Sequence, residues 1–418
     1  MARVRDDDYA PRAIDGALGE LLAAHPALLI TGPRASGKTT TARQLARSVL
    51  ELDRPEVATV VAADPDAALE GLERPTLIDE WQVVPEVLGA VKRVVDRRRQ
   101  RGQFIITGSV RGDLDAPGWP GTGRLIRVEM FGLTPAELAN RTPKRPVLDR
   151  LATGDLAELR PTGESLNIRG YLALALRSGF PEPSLHLTKD VDRARWLASY
   201  LDQLLTRDVA GRDGHRDPAR LRRFLEVYAL HSAGVSDVTS LATDAGVSRG
   251  TAQGYDDLLQ NLLVAYHLPA WWNNRLKRLA KSPKRVLVDA ALVAAALRVD
   301  VAALMLDATL LGRVLETFAV SQLRAQLARC ESQPRLFHLR DQDGRHEVDV
   351  LVEYGGGRVI GFEGKATAAP TRADAKHLAW LAAELGDRFL GGVVLHTGAR
   401  NVRLDERIVA APLSALWG

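Results

Sequence analysis

The chain has 418 residues but only one cysteine, Cys330, and it lacks any long apolar run. One cysteine excludes an intramolecular disulfide framework and a zinc site built from cysteines. A membrane-spanning helix needs about 18 or more consecutive apolar residues, so none is predicted. The first residues, M-A-R-V-R-D-D-D-Y, lack the apolar core of a secretory signal. We therefore expect a protein of the reducing cytoplasm.

Lysine is also scarce, because the 56 basic residues divide into 47 Arg and 9 Lys. The net charge of +4 is compatible with a nucleic-acid partner but is far below that of a basic-tail protein. Apolar residues make up 46% of the chain, which is typical of a globular protein, and the length predicts two or three domains. The scarcity of lysine gives weight to the two lysines in motif positions, Lys38 and Lys365.

A nucleotide-binding loop follows the first apolar run, 27–31. The loop reads G-P-R-A-S-G-K-T, which is the G-x-x-x-x-G-K-T pattern between a strand and a helix. In this pattern backbone N–H groups surround the phosphates, the lysine reaches the β- and γ-phosphates, and the threonine hydroxyl ligates Mg²⁺. The residues predicted to bind ATP are Gly32, Pro33, Arg34, Ala35, Ser36, Gly37, Lys38, Thr39 and Thr40, with Thr39 also at the metal.

A second apolar run, 75–78, ends in Asp79 and Glu80. In P-loop ATPases an aspartate here holds Mg²⁺ through water, and the next glutamate polarises the attacking water. On its own the pair would be interpreted as solvated carboxylates at the end of a strand. Beside the P-loop, Asp79 is predicted to be a metal residue, and Glu80 and Lys38 are predicted to be catalytic.

A third apolar run, 103–107, ends in polar residues where AAA-type ATPases place a sensor of the γ-phosphate. Ser109 or Thr107 fits that role, although the usual asparagine is absent. Arg124 is either a cation for the transition state or a surface arginine of an arginine-rich chain. The sequence assigns no arginine finger, so it implies no ring.

The middle of the chain predicts a helix-turn-helix over 238–259, with a turn at Gly246 and a helix N-cap at Ser248. The apolar run 262–268 is the predicted strand of a following wing. Such a module either packs against neighbouring parts of the protein or reads DNA.

The second helix of this module is poor in residues that read bases. It offers Arg249 and Gln253, but also Asp256 and Asp257, which phosphates would repel. The basic stretch 274–285 is a better candidate for phosphate contacts. Such contacts would give weak, salt-sensitive binding of nucleic acid, DNA in particular, with little sequence preference.

Near the C-terminus the chain reads R-V-I-G-F-E-G-K-A-T, an apolar run that ends in Glu363 and Lys365. The period of a strand places these two side chains on one face. Asp349 precedes them on an alternating stretch, across a turn at residues 355–357, and Glu316 lies on an apolar-faced helix upstream. A helix followed by two strands is the order of the PD-(D/E)xK nuclease fold.

In that fold, clustered carboxylates hold a divalent ion that neutralises charge on the phosphate under attack. Asp349 and Glu363 are predicted to bind Mg²⁺ or Mn²⁺, Glu316 to complete the metal shell, and Lys365 to position or activate water. The alternatives are an ordinary hairpin with solvated carboxylates and a nuclease fold that persists as an inactive scaffold.

The ordered set of motifs resembles prokaryotic AAA-type ATPases that carry a conserved C-terminal domain of unknown function with a PD-(D/E)xK-like end. The resemblance covers about residues 20–400. The segments that carry it are G-P-R-A-S-G-K-T-T, L-I-D-E-W-Q, I-I-T-G-S, G-F-P-E, R-D-V, S-P-K-R-V-L-V-D, G-R-V-L-E-T-F, E-V-D-V and F-E-G-K. Gly364 departs from the pattern, in which a β-branched residue is commoner between the glutamate and the lysine.

The resemblance implies an α/β protein in three parts. These are a P-loop AAA-type ATPase core in 1–150, a helical and winged-helix domain in 151–300, and an α/β PD-(D/E)xK nuclease-like domain in 301–418. The predicted function is ATP binding and hydrolysis with a Mg²⁺-dependent nuclease-like domain that acts on DNA. Two alternatives stay open: an ATP-driven switch or binding protein with an inactive nuclease fold, and a toxin–antitoxin or defence component.

Overall fold

The computed structural model of the chain describes residues 9–109, 122–210, 217–272, 282–341 and 344–417, and for 207–210 it describes the backbone alone. Contacts divide the chain into two compact units. The first comprises Met1–Leu133 with Asn261–Leu263, and the second comprises Thr134–Gln260 with Val264–Gly418. The division into three domains at residues 150 and 300 stays a prediction.

The sheet of the first unit contains five parallel strands in the order β2-β3-β4-β1-β5. The strands are β1 Ala27–Thr31, β2 Ser48–Glu51, β3 Thr76–Asp79, β4 Phe104–Gly108 and β5 Leu125–Glu129. β1, β3 and β4 are buried along their whole length, as is typical of parallel strands covered on both faces. The parallel pairing brings the carboxyl ends of these three strands to one edge, and the predicted α/β P-loop core is confirmed.

The helices of the first unit are α1 Asp15–Ala24, α2 Lys38–Arg43, α3 Pro55–Ala63, α4 Pro65–Leu69 and α5 Val87–Arg98. The sequence of α5 shows how they pack. Its apolar residues recur every three or four positions, and this stripe enters a core shared with β1, β3 and β4.

The helices that the structure describes between residues 134 and 304 are mostly short, and α9 is the longest of them with 21 residues. They are α6 Pro135–Leu138, α7 Val147–Leu151, α8 Ile168–Leu176, α9 Asp190–Ala210, α10 Pro218–Leu230, α11 Val238–Ala245, α12 Arg249–Asn261, α13 Ala290–Leu297 and α14 Val301–Leu304. An aspartate carboxylate accepts a hydrogen bond from the first turn of α10, α11, α13 and α14, and of the helix Ala308–Gln326 that follows them, which fixes where each begins. These aspartates are Asp217, Asp237, Asp289, Asp300 and Asp307.

α11 and α12 form the predicted pair of helices, joined by a turn in which Gly246 adopts a positive φ of 64°. The hydroxyl of Ser248 accepts a hydrogen bond from Thr251 N at 3.1 Å, so the predicted N-cap is confirmed. A small antiparallel sheet accompanies them, in the order β6-β8-β7. Its strands are β6 Gly234–Val235, β7 Ala265–Leu268 and β8 Lys284–Leu287. The interpretation as a winged helix stays a prediction.

Asp256 lies on the buried side of α12, contrary to the expectation that phosphates would meet it. Its carboxylate is 0% exposed and accepts a hydrogen bond from Arg285 Nε at 2.9 Å. His267 Nε2 lies 2.9 Å from the same carboxylate. Burial by itself would raise the pKa of Asp256, but His267 and Arg285 outweigh it and the net pKa is lowered. Asp256 is therefore part of the core that holds α12 against β7 and β8.

The C-terminal sheet has six strands in the order β13-β14-β12-β11-β10-β9. The elements are helix α15 Ala308–Gln326, strands β9 Arg335–Arg340, β10 Glu347–Glu353 and β11 Val359–Gly364, helix α16 Lys376–Leu385, and strands β12 Phe389–His396, β13 Val402–Asp405 and β14 Ile408–Pro412. β9, β10 and β11 pair antiparallel, whereas β11, β12 and β14 pair parallel. The predicted helix and hairpin are confirmed as α15, β10 and β11.

A search of the described ranges for membrane spans gives a negative result. No helix within them is both long enough and apolar enough to cross a bilayer.

We expect Asp256→Ala to lower the free energy of unfolding of the second unit by about 3 kcal/mol or more, because it leaves the buried Arg285 guanidinium without its carboxylate. Asp257→Ala on the exposed side of the same helix is the matched control and should cost less than about 0.5 kcal/mol. Urea denaturation followed by circular dichroism measures both. Equal effects of the two substitutions would contradict the buried pair.

Candidate functional site

The loop between β1 and α2 has the shape that the G-x-x-x-x-G-K-T pattern predicts. A Cβ atom at Gly32 would lie 2.1 Å from the carbonyl oxygen of Met130, so no other residue fits there without moving the backbone. Gly37 adopts a positive φ of 90°, which favours glycine, directly before α2 begins at Lys38. Both glycines are thus required by the path of the loop.

Lys38 lies across the loop and is buried. Its ammonium donates hydrogen bonds to the carbonyl oxygens of Gly32 at 3.0 Å and Pro33 at 2.8 Å. Burial lowers its pKa to about 8, although the carboxylates of Glu80 and Asp79 act in the opposite direction. The ammonium is therefore placed inside the loop, where the pattern predicts the phosphates of ATP.

The remaining residues of the loop differ in exposure. Arg34 and Ala35 are exposed, Thr40 is half-buried, and Ser36 is buried. In the described part of the chain, the Ser36 hydroxyl has no hydrogen-bond partner. A polar group of this kind inside a phosphate-binding loop is suited to a ligand oxygen.

Arg12 supports the loop from outside it, a role that no sequence motif indicates. Its guanidinium donates to the carbonyl oxygens of Ser36 at 3.0 Å and Phe131 at 2.7 Å. One side chain thereby joins the loop to the chain that follows β5. Arg12 lies in a segment without any motif, so only the fold reveals it.

Asp79 meets the P-loop at the carboxyl edge of the sheet. Thr39 Oγ1 donates to Asp79 Oδ1 at 2.7 Å, and the hydroxyl of Thr107 donates to the same oxygen. The hydroxyl and the carboxylate predicted to serve one Mg²⁺ are thus in direct contact. Thr107, one of the two sensor candidates, touches the carboxylate that is predicted to hold the metal.

Glu80 follows β3 in a left-handed conformation with φ 52°. The side-chain amide of Gln82 donates to Glu80 Oε2, and Ser109 Oγ lies 3.4 Å from the same atom. A Cβ at Gly108 would lie 2.5 Å from Trp81 Nε1, so glycine lets the end of β4 approach this turn. Ser109, the other sensor candidate, therefore touches the carboxylate predicted to polarise water.

Arg124 does not join this group. Parallel pairing places Glu129, the last residue of β5, beside Thr31, the last residue of β1. The P-loop follows Thr31, so Arg124, which precedes β5, lies at the opposite edge of the sheet. Its guanidinium forms an ion pair with Asp96, with Nε 2.8 Å from Oδ1. The structure therefore supports the surface alternative and not a cation beside this chain's own P-loop.

A second group of charged residues lies in the second unit, centred on Lys284 of β8. Its Nζ is 2.6 Å from Glu316 Oε1, 3.2 Å from Asp349 Oδ1 and 3.6 Å from Glu347 Oε1. Lys284 is 1% exposed, so this ammonium is enclosed by protein. We call the carboxylates of Glu316, Glu347, Asp349 and Glu363 the acidic cluster.

The predicted residues of the hairpin converge as expected. Lys365 Nζ lies 3.3 Å from Glu363 Oε2, and Gly364 N donates to Asp349 Oδ2 at 2.8 Å. Glu363 is 3% exposed, and among the described residues its Oε1 has no hydrogen-bond partner. A Cβ at Gly364 would lie 3.7 Å from Asp349 Oδ2, an ordinary contact, so the departure from the family pattern does not distort the hairpin.

The acidic cluster shifts the pKa values of its members. Burial, followed by the charge of Asp349, raises the pKa of Glu316 to about 7 and that of Glu363 to about 9, against the effect of the lysines. Burial alone would lower the pKa of Lys284, but the carboxylates of Glu316, Asp349 and Glu347 outweigh it and the pKa is raised. The lysines and a proton on Glu363 thus balance much of the negative charge at neutral pH.

The predicted metal shell is not formed in this arrangement. In the ranges that the structure describes, no group of three or more His, Cys, Asp or Glu side chains is placed to hold a metal ion. The reason is that Glu316 and Asp349 turn oxygens toward Lys284, and Asp349 turns its other oxygen toward Gly364 N. The residues predicted as ligands are close together, but they surround an ammonium.

Sequence reasoning missed two members of this group. Glu347 stands two residues before Asp349 on one strand, and the period of a strand could have placed it on the same face. Lys284 belongs to the predicted phosphate-contacting stretch 274–285 and to the S-P-K-R-V-L-V-D segment, and neither prediction places it among carboxylates, although the scarcity of lysine was a signal.

The predicted phosphate-contacting stretch 274–285 lies mostly outside the described residues. Its last two members, Lys284 and Arg285, are buried and paired with carboxylates, so neither is available to a phosphate. On α12, Arg249 and Gln253 are exposed as a base-reading role requires, and Gln253 donates to Asp257 at 2.8 Å.

Three parts of the chain match known families. Residues 24–139 match the AAA domain. Residues 168–303 match Domain of unknown function (DUF8612), and residues 311–416 match Domain of unknown function (DUF4143). The P-loop, Asp79 and Glu80 lie inside the first match, and the whole acidic cluster lies inside the last.

Two mycobacterial proteins are similar over almost the full chain. Uncharacterized protein Rv2008c of Mycobacterium tuberculosis and uncharacterized protein Mb2031c of Mycobacterium bovis are each 31% identical over 392 residues, which is 93% of this chain and 80% of the relative. Among solved structures, the Walker-type ATPase PABY2304 of Pyrococcus abyssi is 14% identical with a TM-score of 0.43, covering 72% of this chain and 99% of that one. That TM-score is too low to support an inference.

We expect Gly32→Ala to weaken ATP binding by about tenfold or more, which corresponds to about 1.4 kcal/mol, because the new methyl group displaces the loop from the Met130 carbonyl. Gly16→Ala is the matched control, since a Cβ there meets no atom within 4 Å. Equilibrium binding of a fluorescent ATP analogue measures both. Unchanged affinity in Gly32→Ala would show that the loop accepts a side chain.

Proposed function

We infer the function from one premise: this chain belongs to the same protein family as Rv2008c and Mb2031c, and its first unit is an AAA-type P-loop ATPase domain. On that premise we propose a Mg²⁺-dependent ATPase whose second unit is a nuclease-like binding module that does not hydrolyse nucleic acid. The protein then works as an ATP-driven switch.

The observation that carries the ATPase is the contact between Thr39 Oγ1 and Asp79 Oδ1 at 2.7 Å. A hydroxyl and a carboxylate brought together beside a phosphate loop fit a hard divalent cation, which prefers oxygen ligands. Thr39 would ligate Mg²⁺ directly and Asp79 would hold it through water. When bound, the ion supplies charge neutralisation to the phosphates.

The other residues of the first unit act on ATP and on water. The backbone N–H groups of the P-loop and the Lys38 ammonium bind and orient the phosphates. Glu80 polarises the attacking water, and Gln82 and Ser109 fix the position of its carboxylate. Thr107 fixes Asp79 in the same way. Contacts from the end of β4 to both carboxylates support a role for this strand in sensing the γ-phosphate.

For the second unit, the helix-then-hairpin order of α15, β10 and β11 supports the PD-(D/E)xK-like interpretation. The engagement of Glu316 and Asp349 with Lys284 favours the inactive scaffold over the nuclease and over a nucleic-acid-degrading defence component. Nucleic acid is the partner that we propose for the exposed side of α12. The burial of Asp256 supports this, because it removes one of the two repulsive carboxylates from that surface.

We expect Lys38→Ala to abolish measurable ATP binding, because it removes the ammonium that reaches the phosphates. Glu80→Gln should bind ATP with unchanged affinity but hydrolyse it about 100-fold or more slowly, because only the polarisation of water is lost. Calorimetry and a phosphate-release assay measure the two effects. The matched controls are Lys92→Ala and Glu86→Gln, at a half-buried and an exposed position of the same unit. Wild-type turnover in Glu80→Gln would contradict the assignment of Glu80.

We expect no nicking of supercoiled DNA by the full chain in Mg²⁺ or Mn²⁺, with or without ATP, above the level of Asp349→Ala. The reason is that the carboxylates predicted to hold a catalytic metal contact Lys284 instead. Nicking that disappears in Asp349→Ala and persists in Lys38→Ala would contradict the proposed switch and would support nuclease activity of the second unit.

A further inference from the structure

The acidic cluster already holds a cation at the position where its carboxylates converge. Lys284 Nζ contacts carboxylate oxygens from α15 and from two positions of β10, at 2.6 to 3.6 Å. It also lies 3.4 Å from the carbonyl oxygen of Asp349. An ammonium surrounded by oxygens in this way takes the place that a divalent ion takes in a carboxylate site.

The backbone of Lys284 is fixed on both sides. β8 is the central strand of its sheet, and Lys284 pairs with Val235 of β6 and with Leu268 of β7. A residue at the edge of a sheet could move away from its partners, but this one cannot move without breaking both pairings. The backbone of Lys284 is therefore held at a fixed position beside the cluster.

The segments next to Lys284 are also joined to the C-terminal sheet. His338 N of β9 donates to the Pro269 carbonyl oxygen at 2.9 Å, and Trp271 N donates to the His338 carbonyl oxygen at 2.6 Å. His338 Nε2 lies 3.1 Å from the carbonyl oxygen of Ser282, two residues before Lys284. These contacts hold the small sheet at the distance that brings the ammonium to the carboxylates.

We propose that Lys284 is a resident cation that replaces the divalent metal of the acidic cluster, so that the second unit binds no Mg²⁺ or Mn²⁺ while Lys284 is present. This inference rests on the proposed interpretation of the second unit as a nuclease-like fold without hydrolysis. It goes beyond it by naming the residue that excludes the metal.

The contacts indicate that Lys284 replaces a divalent ion in the acidic cluster and does not bind beside one. With Lys284 in place, Glu363 Oε1 is the buried carboxylate oxygen of the cluster that has no partner in the described residues, and one oxygen cannot hold a divalent ion. Removal of the ammonium releases Glu316 Oε1 and Asp349 Oδ1 beside it. Glu316 and Asp349 then lose the ammonium that lies between them, and Mn²⁺ supplies the positive charge that their two carboxylates lack.

The experiment measures Mn²⁺ binding to the nucleotide-free full chain by electron paramagnetic resonance and by the shift in the unfolding temperature. Wild type and Asp349→Asn should bind Mn²⁺ equally, because the acidic cluster binds no Mn²⁺ while Lys284 is present. Lys284→Met keeps the length of the side chain and removes its charge. It should bind one additional Mn²⁺ at least tenfold more tightly than wild type, with a rise in unfolding temperature that the double variant with Asp349→Asn loses.

Lys376→Met, an exposed lysine at the start of α16, is the matched control and should gain no Mn²⁺. Lys284→Arg keeps the charge and should also gain none. If Lys284→Met does not fold, the comparison of wild type with Asp349→Asn decides alone. Mn²⁺ bound by wild type and lost in Asp349→Asn overturns the inference, as does a folded Lys284→Met that gains no site. If no nicking accompanies either of these two results, only the role of Lys284 is contradicted and the proposed switch function stands.

Discussion

A buried ammonium is stable in a protein when carboxylates surround it, and the second unit is organised around such a group. Lys284 reaches from the small sheet to carboxylates on α15 and β10, so three elements that are distant in sequence must meet at one atom. Removal of Lys284 would leave the carboxylates of Glu316 and Asp349 without the ammonium that they share. This constraint explains why the chain places a lysine, which it rarely uses, inside a well-packed core.

Much of the first unit could be predicted because its chemistry follows from one geometric rule. The carboxyl ends of parallel strands share an edge, so three short apolar runs that each end in polar residues predict one site. The contacts of Thr39 and Thr107 with Asp79 are the direct result. The same rule explains why Arg124 lies away from this site. The residue precedes β5, and parallel pairing places the start of β5 at the edge of the sheet opposite to the P-loop.

The residues that sequence reasoning missed or misplaced depend on contacts across long sequence separations. Arg12 supports the P-loop from a segment without periodicity. Asp256 was expected at a DNA surface because a helix pattern alone does not show which side a sheet covers. The carboxylates of the hairpin were placed correctly by the period of a strand. Their cation was not, because Lys284 comes from a different sheet.

The chain uses lysine and arginine differently at two adjacent positions of β8, and the chemistry of each side chain accounts for the choice. An ammonium is a compact point charge with three donors, so Lys284 can face oxygens from three directions. A guanidinium is planar, and Arg285 uses its plane to join the Asp256 carboxylate to the Ser236 carbonyl oxygen. Adjacent side chains of a strand point to opposite faces. Lys284 therefore compensates the negative charge of the acidic cluster on one face of β8, and Arg285 compensates the buried carboxylate of α12 on the other. A displacement of β8 would disturb both, so the strand links the proposed nucleic-acid surface to the acidic cluster.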